Sequence, residues 1–230
     1  MNVAWVAGAT GFVGRELVSA LVARGVATIA HVRPDSGSLE RWQARFAAAG
    51  ATVDTTPWNA VALASALATR GVTHAFCVVG TTRRRARADG TAGDPYEAID
   101  LGLTAMLVDA AVAQARPRFI YLSSLGADPG ARSAYLRARG RAEAVVRASG
   151  LSYRIARPSF ITGAGRDDGR PAERVAAALT DATLAVVGVL GGRATRDRYR
   201  SIGPTELAQA LVRLAFDDGG DRVVATEALR

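Results

Sequence analysis

Short apolar runs alternate along the chain with longer segments whose apolar residues recur every three or four positions. The runs Asn2–Ala7, Ala27–Val32, Thr52–Thr55, His74–Val79, Arg118–Ser123 and Ser152–Ala156 predict six strands. The segments 12–24, 38–49, 60–70, 95–115 and 133–149 predict helices; Leu17, Val18, Leu21 and Val22 show the spacing. Strands and helices in strict alternation imply an α/β fold in which crossovers wind helices onto both faces of a parallel sheet. After Pro158 the rhythm changes. A Gly/Asp-rich stretch, Gly163–Pro171, precedes an apolar helix at 172–188, then a loop carrying Arg193, Arg196, Arg198 and Arg200. A helix at 204–216 and a short apolar run, Val223–Ala225, close the chain. The expected organisation is one domain, 1–230, with a core at 1–157 and a small C-terminal cap at 158–230 over the substrate end of the sheet.

Composition narrows this picture. Hydrophobic residues make up 49% of the 230 positions, enough for a large core, and the one cysteine, Cys77, excludes an internal disulfide framework and a Cys-rich metal site. The longest apolar stretch noted, Leu184–Leu190, is far short of the roughly 18 residues a bilayer span needs, so no membrane span is expected. The N-terminus lacks the layout of a signal peptide, and a cytoplasmic location follows as the expectation. The formal charge is +8, and all 29 basic residues are arginine, with no lysine. That charge suits anionic partners, but its scatter along the chain favours a small phosphorylated ligand over nucleic acid.

The first predicted strand runs directly into Gly8-Ala9-Thr10-Gly11-Phe12-Val13-Gly14, and a helix follows at once. Gly8 suits a tight turn, Gly11 a close approach of backbone to a pyrophosphate, and Gly14 close helix–sheet packing. Strand, loop and helix in that order mark a dinucleotide-binding unit of the Rossmann type, with phosphates at the helix N-terminus. The second strand ends His31-Val32-Arg33-Pro34, where NAD-preferring proteins usually carry an acid. Arg33, helped by Arg15, favours a 2′-phosphate, so NADP(H) is expected over NAD(H).

The fifth strand ends Tyr121-Leu122-Ser123-Ser124, and a later helix carries Tyr135 and Arg139, four apart and on one face. With these, the segments GATGFVGREL, AFCVVGTTR, YLSSLGAD, YLRARGRAE and RPSFITG resemble extended or atypical short-chain dehydrogenase/reductases, and among them the Tat-interacting-protein-like NAD(P)H-binding oxidoreductases. The likeness covers nearly the whole chain, including Arg170–Glu173. In that family a Ser–Tyr–Lys set does the chemistry. The resemblance therefore implies Ser124 as the group polarising the substrate oxygen, with Ser123 beside it, and Tyr135 as the acid/base. Arg139 stands where the lysine belongs. A guanidinium supplies charge and hydrogen bonds but cannot join a lysine-type proton relay. The same resemblance assigns Gly80 and Thr81 to a cofactor wall, and Pro158 and Phe160 to the nicotinamide end. Asn59 stands near where relatives carry an adenine-binding Asp.

Two readings remain open at this point: an NADP(H)-dependent oxidoreductase acting on a small carbonyl or alcohol, and an NADP(H)-binding sensor or assembly protein without turnover. Arg83–Arg87 suits an anion or plain solvation, and the apolar helix at 172–188 suits a lid, a homodimer face or a membrane-surface contact, in that order. His31 and His74 have no cluster of metal-ligand residues near them in sequence, so no metal site is expected.

Overall fold

The computed structural model describes residues 1–81, 90, 92–162 and 200–229. Among the described residues, seven strands form one sheet: β1 (Val3–Ala7), β2 (Ala27–His31), β3 (Thr52–Asp54), β4 (His74–Cys77), β5 (Arg118–Leu122), β6 (Tyr153–Arg157) and β7 (Arg222–Ala225). Their order is β3-β2-β1-β4-β5-β6-β7, and every neighbouring pair is parallel. Successive side chains on a strand point to opposite faces, so each strand feeds two cores. Ala4, Val6, Phe76, Ile120 and Ala156 pack beneath α1 (Phe12–Ala23), α2 (Leu39–Ala48) and α6 (Pro204–Ala215). Trp5, Ala7, Cys77, Phe119, Tyr121 and Ile155 pack on the opposite face under α3 (Ala60–Thr69), α4 (Tyr96–Ala115) and α5 (Ala134–Ala148). This is the doubly wound α/β sheet that the alternation predicts.

The C-terminal part departs from expectation. The run at Val223–Ala225 is a seventh strand, registered Ile155↔Val223 and Ala156↔Val224 on β6. α6 buries Leu207, Leu211 and Leu214 in the same core as Leu17 and Leu21 of α1, and the Thr205 hydroxyl donates to Glu16 at 3.0 Å. The wide apolar stripe of α6 finds its partner on α1. Residues 204–225 thus belong to the sheet and its helical layer, not to a cap. The predicted helix at 172–188, the Arg193–Arg198 stretch, Arg170–Glu173 and the Arg83–Arg87 run lie outside the described residues. Immediately beside 163–199 the chain is joined by Ile161, which bridges Ile202, and by the Ile202 amide, which donates to Phe160 O at 2.9 Å.

α4 is a continuous helix whose first and last parts, Tyr96–Gly102 and Ala111–Ala115, are π-helical. With a mean hydropathy of 1.4 over an 18-residue window it is, by length and composition alone, long and apolar enough to cross a membrane, a test that the core helix of a folded domain also passes. Here it lies on the sheet, burying Leu107, Val108, Ala110 and Ala111 against α3 and β4 residues.

Candidate dinucleotide site and active centre

The glycine loop lies at the carboxyl end of β1, next to β4, where the chain order reverses and open α/β sheets bind ligands. Gly8 has a φ of +81°, and a Cβ there would sit 2.9 Å from the Val78 carbonyl carbon. A Cβ on Gly14 would sit 2.1 Å from Gly8 O and 2.8 Å from Ala9 Cα. Only glycine fits either place. Gly11 is the extended N-cap of α1, brings no side chain over the helix start, and donates its amide to Gly8 O at 2.9 Å. Thr10 and Phe12 are half-buried and Val13 is buried behind the loop. The donor set suits a diphosphate: bare backbone, a positive helix end, and Arg15 in the first turn.

On the adenosine side, the Arg33 side chain is 47% exposed and lies 3.7 Å from Asp35. His31 is turned inward. Its Nε2 lies 2.7 Å from Thr56 O, and its ring sits between Trp5 and Trp58. Burial lowers its pKa, against the raising effects of the Thr56 carbonyl and Asp54. Asn59 accepts from the Ala62 amide at 3.0 Å as the N-cap of α3, so its oxygen is engaged in the helix start. The acid of this strand end is Asp54. Burial works against its ionised form, but hydrogen bonds from Trp5 and Thr56 and the Arg70 guanidinium hold its pKa below the usual range.

The far half of the site is organised by α5. Gly140 lets this helix press onto the 126–130 loop, since a Cβ there would fall 2.2 Å from the Asp128 carbonyl carbon. Arg139 then points under the strand ends and is 5% exposed. It donates to Leu122 O at 2.7 Å, Val79 O at 3.0 Å and the Tyr121 hydroxyl at 3.2 Å. Its Nη2 lies 2.7 Å from Asp100 Oδ1, a contact close enough for an ion pair but poorly aligned as a hydrogen bond. Burial raises the Asp100 pKa, against the opposing pull of Arg139 and of the Thr81 amide, which donates to Oδ2 at 3.2 Å. A Cβ on Gly80 would lie 2.4 Å from Arg139 Nη2. The Gly80–Thr81 wall is therefore seated on the Asp100–Arg139 pair.

Tyr135 is half-buried, its ring 5.4 Å from the Arg139 guanidinium carbon and edge-on to Tyr96 at 5.5 Å. The structure thus brings Tyr135, Arg139 and Gly80 together. The two serines separate. Ser123 is buried and donates to Glu143 Oε1 at 2.5 Å, while Glu143 also holds Arg157 through two contacts of 2.7 Å. Ser124 is half-buried, and its hydroxyl makes a long 3.4 Å contact to Leu125 O. Pro158 accepts from the Leu125 amide at 2.8 Å, tying the ends of β5 and β6, and Phe160 is 52% exposed. Asp100, Tyr121 and Glu143 were not among the sequence-predicted site residues. An acid in the apolar helix 95–115 was the available signal for Asp100.

A family model described as NAD(P)H-binding matches residues 8–171, from the first loop glycine past the end of β6. The chain belongs to this NAD(P)H-binding family. Comparison with curated protein sequences finds no match. Among solved structures, the UDP-Glc/GlcNAc 4-epimerase of Campylobacter jejuni is similar at a TM-score of 0.69 and 11% identity, over 100% of this chain and 82% of that one. A Bacillus halodurans protein assigned as an NAD-dependent epimerase/dehydratase is similar at 0.67 and 20% identity, over 97% and 92%. The UDP-glucose 4-epimerase of Brucella ovis, solved with NAD, is similar at 0.64 and 18% identity, over 98% and 77%. The NAD(P)H-binding domain and the fold fit the extended or atypical short-chain dehydrogenase/reductases, as the motifs imply.

Proposed function

We propose that this NAD(P)H-binding protein is an NADP(H)-dependent oxidoreductase acting on a small carbonyl or alcohol. The observation that carries the reading is Tyr135, a half-buried phenol held face-on to a buried guanidinium beside the Gly80–Thr81 wall. Gly8, Gly11 and Gly14 would hold the diphosphate and Arg15 and Arg33 the adenosine end. The bound nicotinamide would supply or accept a hydride. The Tyr135 hydroxyl would pass the proton to the substrate oxygen, and the Ser124 hydroxyl, the less engaged of the two serines, would polarise that oxygen. Arg139 supplies charge under the phenol ring, and its two Nη groups are turned to protein acceptors, while among the described residues its buried Nε meets none. In this reading it positions Tyr135 and the wall instead of gripping a ribose.

That inward commitment also favours the second reading, a dinucleotide-binding protein without turnover. Replacing Tyr135 by Phe separates the two. The enzyme reading expects NADPH consumption with at least one member of a panel of aldehydes, ketones and nucleotide sugars. Tyr135→Phe should then abolish turnover by a hundredfold or more while calorimetry shows unchanged NADPH affinity. Tight NADPH binding with no turnover of any panel member in the parent protein supports the sensor and rejects the enzyme.

A further inference from the structure

α5 carries Tyr135, Arg139 and Glu143 at intervals of four, so the three side chains leave one face of the helix. Tyr135 and Arg139 belong to the reaction centre described above, whereas Glu143 takes no part in that chemistry. It is 2% exposed, and a charge so buried needs full compensation. A carboxylate has about four acceptor positions, and here each is met. Oε1 accepts from the Ser123 hydroxyl at 2.5 Å and from Arg157 Nε at 2.7 Å. Oε2 accepts from Arg157 Nη2 at 2.7 Å and from Arg147 Nη2 at 3.0 Å. One carboxylate thus ties α5 to the end of β5 and the end of β6.

The tie brackets Ser124. The Ser123 amide donates to Ala156 O at 2.8 Å, and the Leu125 amide donates to Pro158 O at 2.8 Å. The residues on either side of Ser124 are thereby fixed to the residues on either side of Arg157. The Arg157 guanidinium and the Ser123 hydroxyl then converge on Glu143. Backbone bonds join the two strand ends to each other, and the carboxylate braces both against the helix that carries Tyr135. Of two neighbouring hydroxyls, Glu143 engages that of Ser123 at 2.5 Å. The Ser124 hydroxyl keeps only a 3.4 Å contact to Leu125 O, which is weak enough to be exchanged for a substrate oxygen.

We propose that Glu143 is a positioning residue for the reaction, holding Ser123 so that the adjacent Ser124 hydroxyl keeps its place in the reaction centre. This rests on the oxidoreductase reading above, in which Ser124 polarises the substrate oxygen. A misplacement of about 1 Å in such a group costs up to roughly a hundredfold in rate. The test compares the parent protein with Ser124→Ala, Ser123→Ala, Glu143→Gln and the double variant Ser123→Ala/Ser124→Ala. For each, kcat and KM are measured with a carbonyl substrate that the parent turns over, NADPH affinity by calorimetry, and melting temperature. Ser123→Ala removes only the link between the carboxylate and the end of β5 and leaves the Glu143–Arg157 pair in place. It therefore decides the matter even where Glu143→Gln does not fold. Ser123→Ala and Glu143→Gln should each lower kcat about tenfold, with KM and NADPH affinity within about twofold of the parent. Added to Ser124→Ala, Ser123→Ala should lower kcat by less than about twofold more, because the group it positions is already gone. A brace that serves stability alone gives a lower melting temperature with kcat unchanged, or serine losses that multiply in the double variant. Either result overturns the proposal and leaves the oxidoreductase reading in place. Full turnover by Ser124→Ala overturns the role of that hydroxyl and the proposal with it. A parent protein that turns over no carbonyl substrate overturns the oxidoreductase reading as well.

Discussion

Arg139 has five N–H donors in a rigid fork, and two carbonyls, a phenol and a carboxylate converge on that fork. A lysine offers three donors on one nitrogen and cannot reach acceptors spread across β4, β5 and α4. Arg139→Lys is therefore expected to cost about 2–4 kcal/mol of stability, by leaving buried acceptors unmet. Turnover should fall with it. Urea unfolding and NADPH consumption measure the two effects, and a stable variant with higher turnover would show that position 139 is free to act on the cofactor. Tyr121 shows how closed this region is: burial raises its pKa, opposed by the adjacent guanidinium, so the phenol stays protonated and donates or accepts hydrogen bonds only. At this scale spacing and local order put the glycines in a strand–helix turn and Tyr135 on one helix face with Arg139, and the structure has both arrangements. The Asp100–Arg139 pair was not legible, since its partners are brought together only when α4 and α5 dock on the same face of the sheet. Ser123 was ranked behind Ser124 on position alone; the Glu143 contact that engages it arises from the same docking.

The elements were legible because each has a strong period and a clean boundary. Predicted strands and helices agree with the observed ones to within two residues at most ends. β7 was the exception, with four residues, one of them a charged Arg222, and a place at the sheet edge that gave it little pattern. α5 illustrates how an element, and not a residue, sets the site. Its N-cap Ser133 accepts from the Leu136 amide, and Gly140 allows contact with the 126–130 loop. Gly140→Ala must displace one of them, since backbone and not a flexible side chain occupies the Cβ position. The expected cost is about 1–3 kcal/mol, or roughly 2–4 °C of melting temperature per kcal/mol for a chain of this size. Tyr135 and Arg139 ride on the same helix, so weaker turnover should accompany the lower melting temperature. Gly14→Ala belongs with it: a Cβ placed 2.1 Å from Gly8 O forces the loop open. NADPH affinity by calorimetry should then fall at least tenfold, and an unaltered affinity would remove the loop from the cofactor site.

At the scale of the whole molecule, the C-terminal α6–β7 unit is fastened to the sheet at a place sensitive to acid. Arg118 donates to Ala215 O at 2.9 Å and to Asp217 O at 2.8 Å. Beside it the His74 ring lies 4.4 Å from the Phe216 ring, with Nδ1 2.8 Å from the Thr73 hydroxyl. Burial, together with the Arg118 charge, lowers the His74 pKa from 6.5 to about 4. The native ring is therefore neutral over a range in which the unfolded ring is protonated. Between pH 6.5 and 4 the unfolded state binds more protons, so stability rises with pH through this window and is lost as pH falls. Discounted for the partial exposure of the ring, the loss is about 1–2 kcal/mol, or roughly 2–8 °C of melting temperature. His31 adds in the same direction, whereas Asp100, with its raised pKa, opposes both, so the total slope does not isolate His74. The difference between parent and His74→Phe does. Phenylalanine keeps a ring against Phe216 and removes the proton site, so its melting temperature should fall less between pH 6.5 and 4.5. Parallel curves for the two proteins would mean that the proton uptake destabilising the fold in acid takes place elsewhere. If the α6–β7 unit loosens first, amide exchange along Leu207–Ala215 should quicken at pH 4.5 before that of β1, and His74→Phe should suppress the quickening.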